Sequence, residues 1–277
     1  MNSKPLTGKT ALITGGGQGI GLATAQLLLE DGAVVVITGR RTDALQQARG
    51  QLLQQVPGGI VETFTGDAAD EAQVQAALQF AHDLDGHLDI LVPAVGLPGL
   101  KPLLMYNRKS VQRDFDLNFM SAFLMVRYGV PLLSNGGAIA CISTSGVSQT
   151  FWGLSVYAAM KAALERFVRA AAFELGGAGI RINAVRPGMT LSPESAADPG
   201  MQKMVEYNAR ATPLGRIGEP LDIARVIRFL VGPESGWVTG QTISVDGGQD
   251  HSQGFDFMDE FFGETTMEAI RAGKPPS

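Results

Sequence analysis

Short apolar runs recur along this chain, each followed by a turn-forming residue and then by a stretch with helical spacing. Residues 10–13 begin the pattern, and 34–38, 60–64, 88–92, 138–142, 181–185 and 241–245 continue it. The run 34–38 shows no polar alternation, as expected of a parallel strand covered on both faces. Between them, residues 22–30, 42–55, 70 to about 83, 110–133, 155–175 and 221–230 read as helices. Strand alternates with helix throughout. The pattern predicts an α/β fold, a single-domain doubly wound (Rossmann-type) parallel sheet of about seven strands.

Local signals refine this picture. Asp70, backed by Glu71, is expected to cap the helix that follows it, and Ser155 to cap the helix that stops at Gly176-Gly177. Residues 191–213, the centre of a 189–220 stretch rich in Pro, Ser and Met, have weak periodicity and are expected to form an irregular lid over a site. Met189, Met201, Met204 and Tyr207 are candidates for an adaptable pocket wall, or equally for ordinary packing. The domain is expected to span 1–248. A tail, 249–277, carries Phe255, Phe257, Met258, Phe261 and Phe262 among acidic residues, and is expected to pack over a pocket mouth or a neighbouring subunit.

Composition narrows the function. With 27 acidic against 22 basic side chains the net charge is −5, which argues against a nucleic-acid or anionic-membrane partner and for a small-molecule ligand. A single cysteine, Cys141, lies in an apolar run and is read as core. No intrachain disulfide can form, as expected of a reducing compartment. Residues 1–9 lack the apolar segment of a signal peptide. The apolar stretch 119–133 is broken by Arg127 and Pro131 and is too short for a bilayer, so a cytoplasmic protein is expected. His82, His87 and His251 share no ligand spacing, and no metal site is expected.

The chemistry-bearing residues fall at the ends of the apolar runs. After the first comes Thr14-Gly15-Gly16-Gly17-Gln18-Gly19-Ile20-Gly21, a T-G-x-x-x-G-x-G turn between strand and helix. Glycines there let backbone approach a pyrophosphate, and the free N–H groups of the helix stabilise its charge. The second run ends in Gly39-Arg40-Arg41. An acid at that place would bind a ribose hydroxyl, whereas arginine accommodates a 2′-phosphate, so the cofactor is expected to be NADP(H). Asn118 is an amide in apolar surroundings, either structural or a placed hydrogen-bonding group. The fifth run ends in Ser143-Thr144-Ser145, and Tyr157 and Lys161 follow at i,i+4 on a helix. That spacing puts phenol and ammonium on one face, where the positive charge would favour the phenolate, although many solvated helices carry such a pair.

Taken together, these motifs resemble the short-chain dehydrogenase/reductase family over residues 6–248. The T-G-x-x-x-G-x-G turn, the Y-x-x-x-K pair, the Pro187-Gly188 turn and the V-D-G-G ending at 245–248 occur in the family's order. The resemblance implies Tyr157 as general acid/base, Lys161 as holder of the nicotinamide ribose, Asn118 as support for a relay water, and Asp67 with Ala68 at the adenine. It implies cofactor contacts also for Gly96, Pro187, Gly188 and Thr190. Two places depart from the family's pattern. Pro93-Ala94-Val95-Gly96 stands where N-N-A-G is usual. The substrate-orienting serine, about thirteen residues before the tyrosine, is here Thr144, with Ser145 next, and a threonine hydroxyl donates and accepts equally well. The implied reaction is NADP(H)-dependent interconversion of a ketone or aldehyde and an alcohol by a homo-oligomer, dimer or tetramer. The alternatives are an NAD-dependent alcohol dehydrogenase and a nucleotide-sensing protein without catalysis.

Overall fold

In the computed structural model, residues 4–251 and 263–274 are described. Seven strands form one parallel sheet in the order β3-β2-β1-β4-β5-β6-β7. They are β1 (Thr10–Thr14), β2 (Val34–Gly39), β3 (Val61–Thr65), β4 (Leu88–Pro93), β5 (Leu133–Ile142), β6 (Arg181–Pro187) and β7 (Thr242–Val245). The helices are α1 (Gly19–Glu30), α2 (Thr42–Gln55), α3 (Glu71–Asp85), α4 (Arg108–Phe115), α5 (Ser121–Gly129), α6 (Ser155–Leu175), α7 (Pro193–Ala196), α8 (Gln202–Ala211), α9 (Pro220–Val231) and α10 (Glu264–Arg271). Two buried clusters cover the sheet. One joins α1, α2 and α9 to one face through Leu28, Leu45 and Ile227, and the other joins α3, α5 and α6 to the opposite face through Leu78, Met125 and Leu164. The strands of the middle carry Val, Ile, Leu and Ala on both faces, as the pattern of unbroken apolar runs predicts.

Because every strand runs the same way, all seven carboxyl ends lie along one edge. The chain winds outward in both directions from β1 and β4, so that edge opens into a crevice between them. The candidate residues gather there: Gly15 follows β1, Arg40 follows β2, Asp67 follows β3, Gly96 follows β4, Thr144 follows β5 and Gly188 follows β6.

Several local expectations need correction. The helix expected over 110–133 is divided: α4 and α5 flank a π-helical turn, Asp116–Met120, and a short 3-10 turn, Val130–Leu132, follows. The widening centres on Asn118, whose Nδ2 donates to the Asp114 carbonyl at 3.0 Å and so occupies the i−4 acceptor of the ordinary ladder. Ser155 is the first helical residue and not the cap, which is Leu154 and forms no side-chain cap bond. Asp70 does cap α3, accepting from Gln73 N at 3.0 Å. The 191–213 stretch is not irregular, because α7 and α8 lie within it, with Met204 and Tyr207 exposed on α8. Phe255, Phe257, Met258, Phe261 and Phe262 lie outside the described residues.

Candidate active site

The turn after β1 is built for close approach. Gly15 has φ +68°, in the left-handed region, and a Cβ on Gly21 would lie 2.4 Å from the Gly15 carbonyl oxygen, so α1 starts directly against the turn only because no side chain intervenes. The N-terminus of α1 is left open: Gln18, its cap, makes no side-chain cap bond, and its first turn holds no acidic residue, whereas α2 and α3 begin with Asp43 and Glu71. An uncapped, acid-free helix start offers its N–H groups and positive dipole end to an anion. Gly17 and Ile20 sit in the same turn, and Gly19 has open space around its Cα.

One buried side-chain polar atom among the described residues has no hydrogen-bond partner, Thr14 Oγ1. It lines a small cavity with Asp67, Ala68 and Gln73 at the ends of β1 to β3. Leaving a buried hydroxyl unsatisfied costs about 1–3 kcal/mol, so a polar group supplied from outside the chain would relieve it. The neighbouring segment cannot help, since Pro93, Ala94, Val95 and Gly96 have no polar side chain, and Ala94 N goes to Thr14 O at 3.2 Å. Turn, open helix start and orphan hydroxyl together fit a dinucleotide. Arg40 and Arg41 are exposed just past β2, Arg41 capping α2 through its backbone. Asp67 folds locally, its Oδ1 accepting from Ala69 N at 3.0 Å.

At the other side of the crevice, Tyr157 and Lys161 are both buried on α6. Lys161 Nζ donates to the Ile142 carbonyl at 2.8 Å, and burial lowers its pKa to about 8, against a small opposite pull from the Cys141 thiol. Burial also pushes the Tyr157 phenol above its ordinary range, and a hydrogen bond from the Thr144 hydroxyl pulls it part of the way back. The expectation that the ammonium would lower the phenol is therefore corrected: desolvation dominates, and the counteracting group is Thr144. Gly96 closes the site on the β4 side, where a Cβ would meet Lys161 Nζ at 2.9 Å and Asn118 Oδ1 at 3.1 Å. Asn118 is buried and fully engaged, accepting from Leu97 N at 3.0 Å and donating to Leu97 O at 3.1 Å and to Asp114 O. Its side chain fixes the loop after Gly96.

The three residues differ in what holds them. Ser143 Oγ donates to Glu165 Oε1 at 2.5 Å, away from the phenol. Ser145 is buried, and its carbonyl accepts from Ser148 and Gln149. Thr144 caps a 3-10 turn, Ser145–Val147, accepting from Gly146 N at 3.2 Å, and is the group that draws the phenol back against burial.

A family profile described as "Enoyl-(Acyl carrier protein) reductase" matches residues 15–250. The chain belongs to the short-chain dehydrogenase/reductase family. A 3alpha-hydroxysteroid dehydrogenase of Mediterraneibacter gnavus is 33% identical over 244 residues, covering 87% of this chain and 97% of that protein. A 7alpha-hydroxysteroid dehydrogenase of Escherichia coli K12 is 35% identical over 248 residues, covering 88% and 94%. Among solved structures, a short-chain type dehydrogenase/reductase from Mycobacterium ulcerans superposes with a TM-score of 0.85 at 30% identity over 95% of this chain and 98% of that one. The chain is thus an oxidoreductase of this family, whose members use a nicotinamide dinucleotide.

In this short-chain dehydrogenase/reductase the Pro187-Gly188 turn lies where β6 meets the crevice. Gly188 N donates to Val245 O at 3.2 Å, and Thr190 Oγ1 donates to the Gly188 carbonyl at 3.0 Å. Four further residues border the site that sequence patterns did not single out. Glu165 on α6 and Asp250 beyond β7 both pair with Arg186 on β6, at 2.6 Å and 3.2 Å. Gln249, next to Asp250, reaches the 187–189 turn. Arg186, a charge directly after the run 181–185, was the one legible signal. Gln249 and Asp250, assigned to the tail by sequence, are buried. His87 bonds the carbonyls of Asp85 and Gly8 at the opposite edge of the sheet and takes no part here. No cluster able to hold a metal ion and no helix long and apolar enough to cross a membrane occurs among the described residues.

Proposed function

We propose that this enzyme interconverts a ketone and a secondary alcohol with NADP(H), Tyr157 acting as general acid/base. The observation that carries the reading is the buried Tyr157–Lys161 pair on α6, with Lys161 held to the Ile142 carbonyl two residues before Thr144 at the carboxyl edge of the sheet, beside a turn suited to a dinucleotide. A bound nicotinamide dinucleotide would supply or accept the hydride. The chain's own groups do the rest. Two adjacent hydroxyls can both bond one oxygen, as a carbonyl becoming an alkoxide requires. Tyr157 gives that oxygen a proton in reduction and takes it back in oxidation. Lys161, anchored by one N–H to Ile142, keeps two further donors beside Gly96 for the ribose. The family profile's description names enoyl reduction, but the paired hydroxyls favour chemistry at a carbonyl oxygen.

Arg40 and Arg41, with no acid at the end of β2, support the phosphorylated cofactor. The rim supports a bulky apolar substrate: Leu97, Leu100, Leu103, Leu104, Met105 and Trp152 are exposed on the two loops that meet through Lys101 N and Gly153 O at 2.8 Å. The curated relatives named for hydroxysteroids fit that choice. Exposed Phe173 and Trp237 support a homo-oligomer, and the buried lone Cys141 fits a reducing cytoplasm.

The test follows nicotinamide absorbance with NADPH or NADH and either a fused-ring ketone such as decalone or acetone. Turnover of decalone with NADPH, at least about tenfold more efficient than with NADH or with acetone, is the expected result. The double substitution Arg40→Ala with Arg41→Ala should weaken NADPH by about tenfold or more and leave NADH nearly unchanged. Equal loss for both cofactors would remove the phosphate contact.

A further inference from the structure

The short turn after β7, Gln249–His251, lies beyond the V-D-G-G ending, yet its first two residues are buried. The Asp250 carboxylate accepts from the Ser148 hydroxyl, accepts from the Ser244 hydroxyl at 2.6 Å, and pairs with Arg186 at 3.2 Å. Arg186 donates twice more to Glu165, at 2.6 Å and 3.0 Å, and Glu165 accepts from Ser143. One guanidinium therefore joins two carboxylates, and each carboxylate holds one end of the segment 143–148. Thr144 lies between those ends. Gln149 strengthens the far end by donating to the Gln249 carbonyl.

The same turn reaches across to the other wall of the site. Gln249 Oε1 accepts from Met189 N at 3.4 Å, and its Nε2 donates to Asn208 Oδ1 on α8 at 3.1 Å. Packing there is close, since a Cβ on Gly188 would fall 2.8 Å from Gln249 Oε1. A 3-10 turn such as Ser145–Val147 has poor intrinsic hydrogen-bond geometry and little stability of its own. Its position must come from what grips its ends.

We infer that the Gln249–Asp250 turn is a positioning element of the reaction centre, holding Thr144 against Tyr157 and tying that segment to the 187–189 turn and to α8. The inference rests on Thr144 and Tyr157 as the reacting pair. The bond from Thr144 is what offsets the effect of burial on the phenol, so a segment released at Ser148 loses that offset.

The experiment uses the full chain with Ser148→Ala, Asp250→Asn and Asp250→Ala. Steady-state rates with NADPH and decalone should show kcat lowered by about tenfold in Ser148→Ala and Asp250→Ala, with KM for NADPH within about twofold. Asp250→Asn keeps an oxygen for Ser148 and should recover part of the loss. Independently of turnover, phenolate absorbance is titrated in each variant with and without Tyr157→Phe, which isolates Tyr157 among the four tyrosines. The titration midpoint should rise in Ser148→Ala. In Ser148→Ala the charges of Lys161 on α6 and of Glu165, Arg186 and Asp250 are all kept, so the shift there reads Thr144. A Tyr157 titration and a kcat both unchanged in folded Ser148→Ala would reduce the turn to a structural staple and overturn the inference. If Asp250→Ala does not fold, Ser148→Ala decides alone. Should Tyr157→Phe retain turnover, the reaction assignment fails, while the titration still judges the positioning.

Discussion

The two edges of the sheet bury polar groups in opposite ways. At the amino edge, Asp89 is saturated: its carboxylate accepts from Lys9 at 2.9 Å, Thr10 N at 3.0 Å and Ser134 at 2.6 Å, and His87 stands 3.2 Å away. Burial pushes the Asp89 carboxyl up, but the bonds from Ser134, Lys9 and Thr10 outweigh it and hold it below the usual range. At the carboxyl edge, Lys161 has a single backbone partner and a depressed pKa, the Tyr157 phenol is raised, and the Thr14 hydroxyl has no partner. Both edges pass the same strands through the same core. Polar burial around Asp89 stabilises the fold, whereas burial of Lys161, Tyr157 and Thr14 is tolerated at a cost, as expected where groups are held ready for a ligand.

Three substitutions test that contrast. The largest effect is expected from Lys161→Met. In the proposed chemistry, loss of the ammonium should lower turnover by about 10²-fold or more. The fold should nevertheless become more stable at pH 7, by at most about 3 kcal/mol at 1.4 kcal/mol per pKa unit, less the lost bond to Ile142. The sign is fixed by linkage: the buried amine's folded pKa of about 8 lies below its ordinary 10.5, so the penalty is complete below about pH 8 and fades as pH rises toward 10.5. Thermal melts of both proteins at pH 7 and at higher pH, together with rates, check both halves.

At the opposite edge, Asp89→Ala should do the reverse. Stranding Lys9, Thr10 N and Ser134 should destabilise the protein by about 3 kcal/mol, lowering Tm by about 6–12 °C, with kcat per folded molecule unchanged. Because the Asp89 carboxyl is held below its ordinary range, its contribution is present above the unfolded pKa and is lost as pH falls through the folded value. Acid denaturation should accordingly begin at a higher pH in the variant. A drop in kcat without a drop in Tm would erase the contrast. The smallest effect belongs to Thr14→Val, which removes the orphan hydroxyl and should raise Tm of the ligand-free protein by the equivalent of about 1 kcal/mol while weakening NADPH. A lower Tm in that variant would show the hydroxyl to be satisfied after all.

Much of this was legible in the sequence, because short-range rules governed it. The seven strands stood out as short, mostly apolar runs, the glycine turn followed from its place between strand and helix, and Asp70 capped as its spacing required. What the sequence hid was set by tertiary contacts. The π-helical turn at Asn118 depends on Leu97, twenty-one residues away, and on a side chain that takes over a backbone acceptor. The balance on the phenol was misjudged because spacing reveals the Lys161 neighbour but not the burial. That the Ser143 hydroxyl is engaged elsewhere needed Glu165, whose carboxylate accepts from it. The 249–250 turn looked like the start of a tail because only folding brings it to Arg186.

The most direct test of the central claim is a single turnover of decalone by enzyme preloaded with NADPH, in the wild type and in Tyr157→Phe. The substituted protein should bind NADPH within about twofold of the wild type, melt at the same temperature and lose about 10³-fold in the hydride-transfer rate. Transfer at the wild-type rate in Tyr157→Phe would contradict that claim.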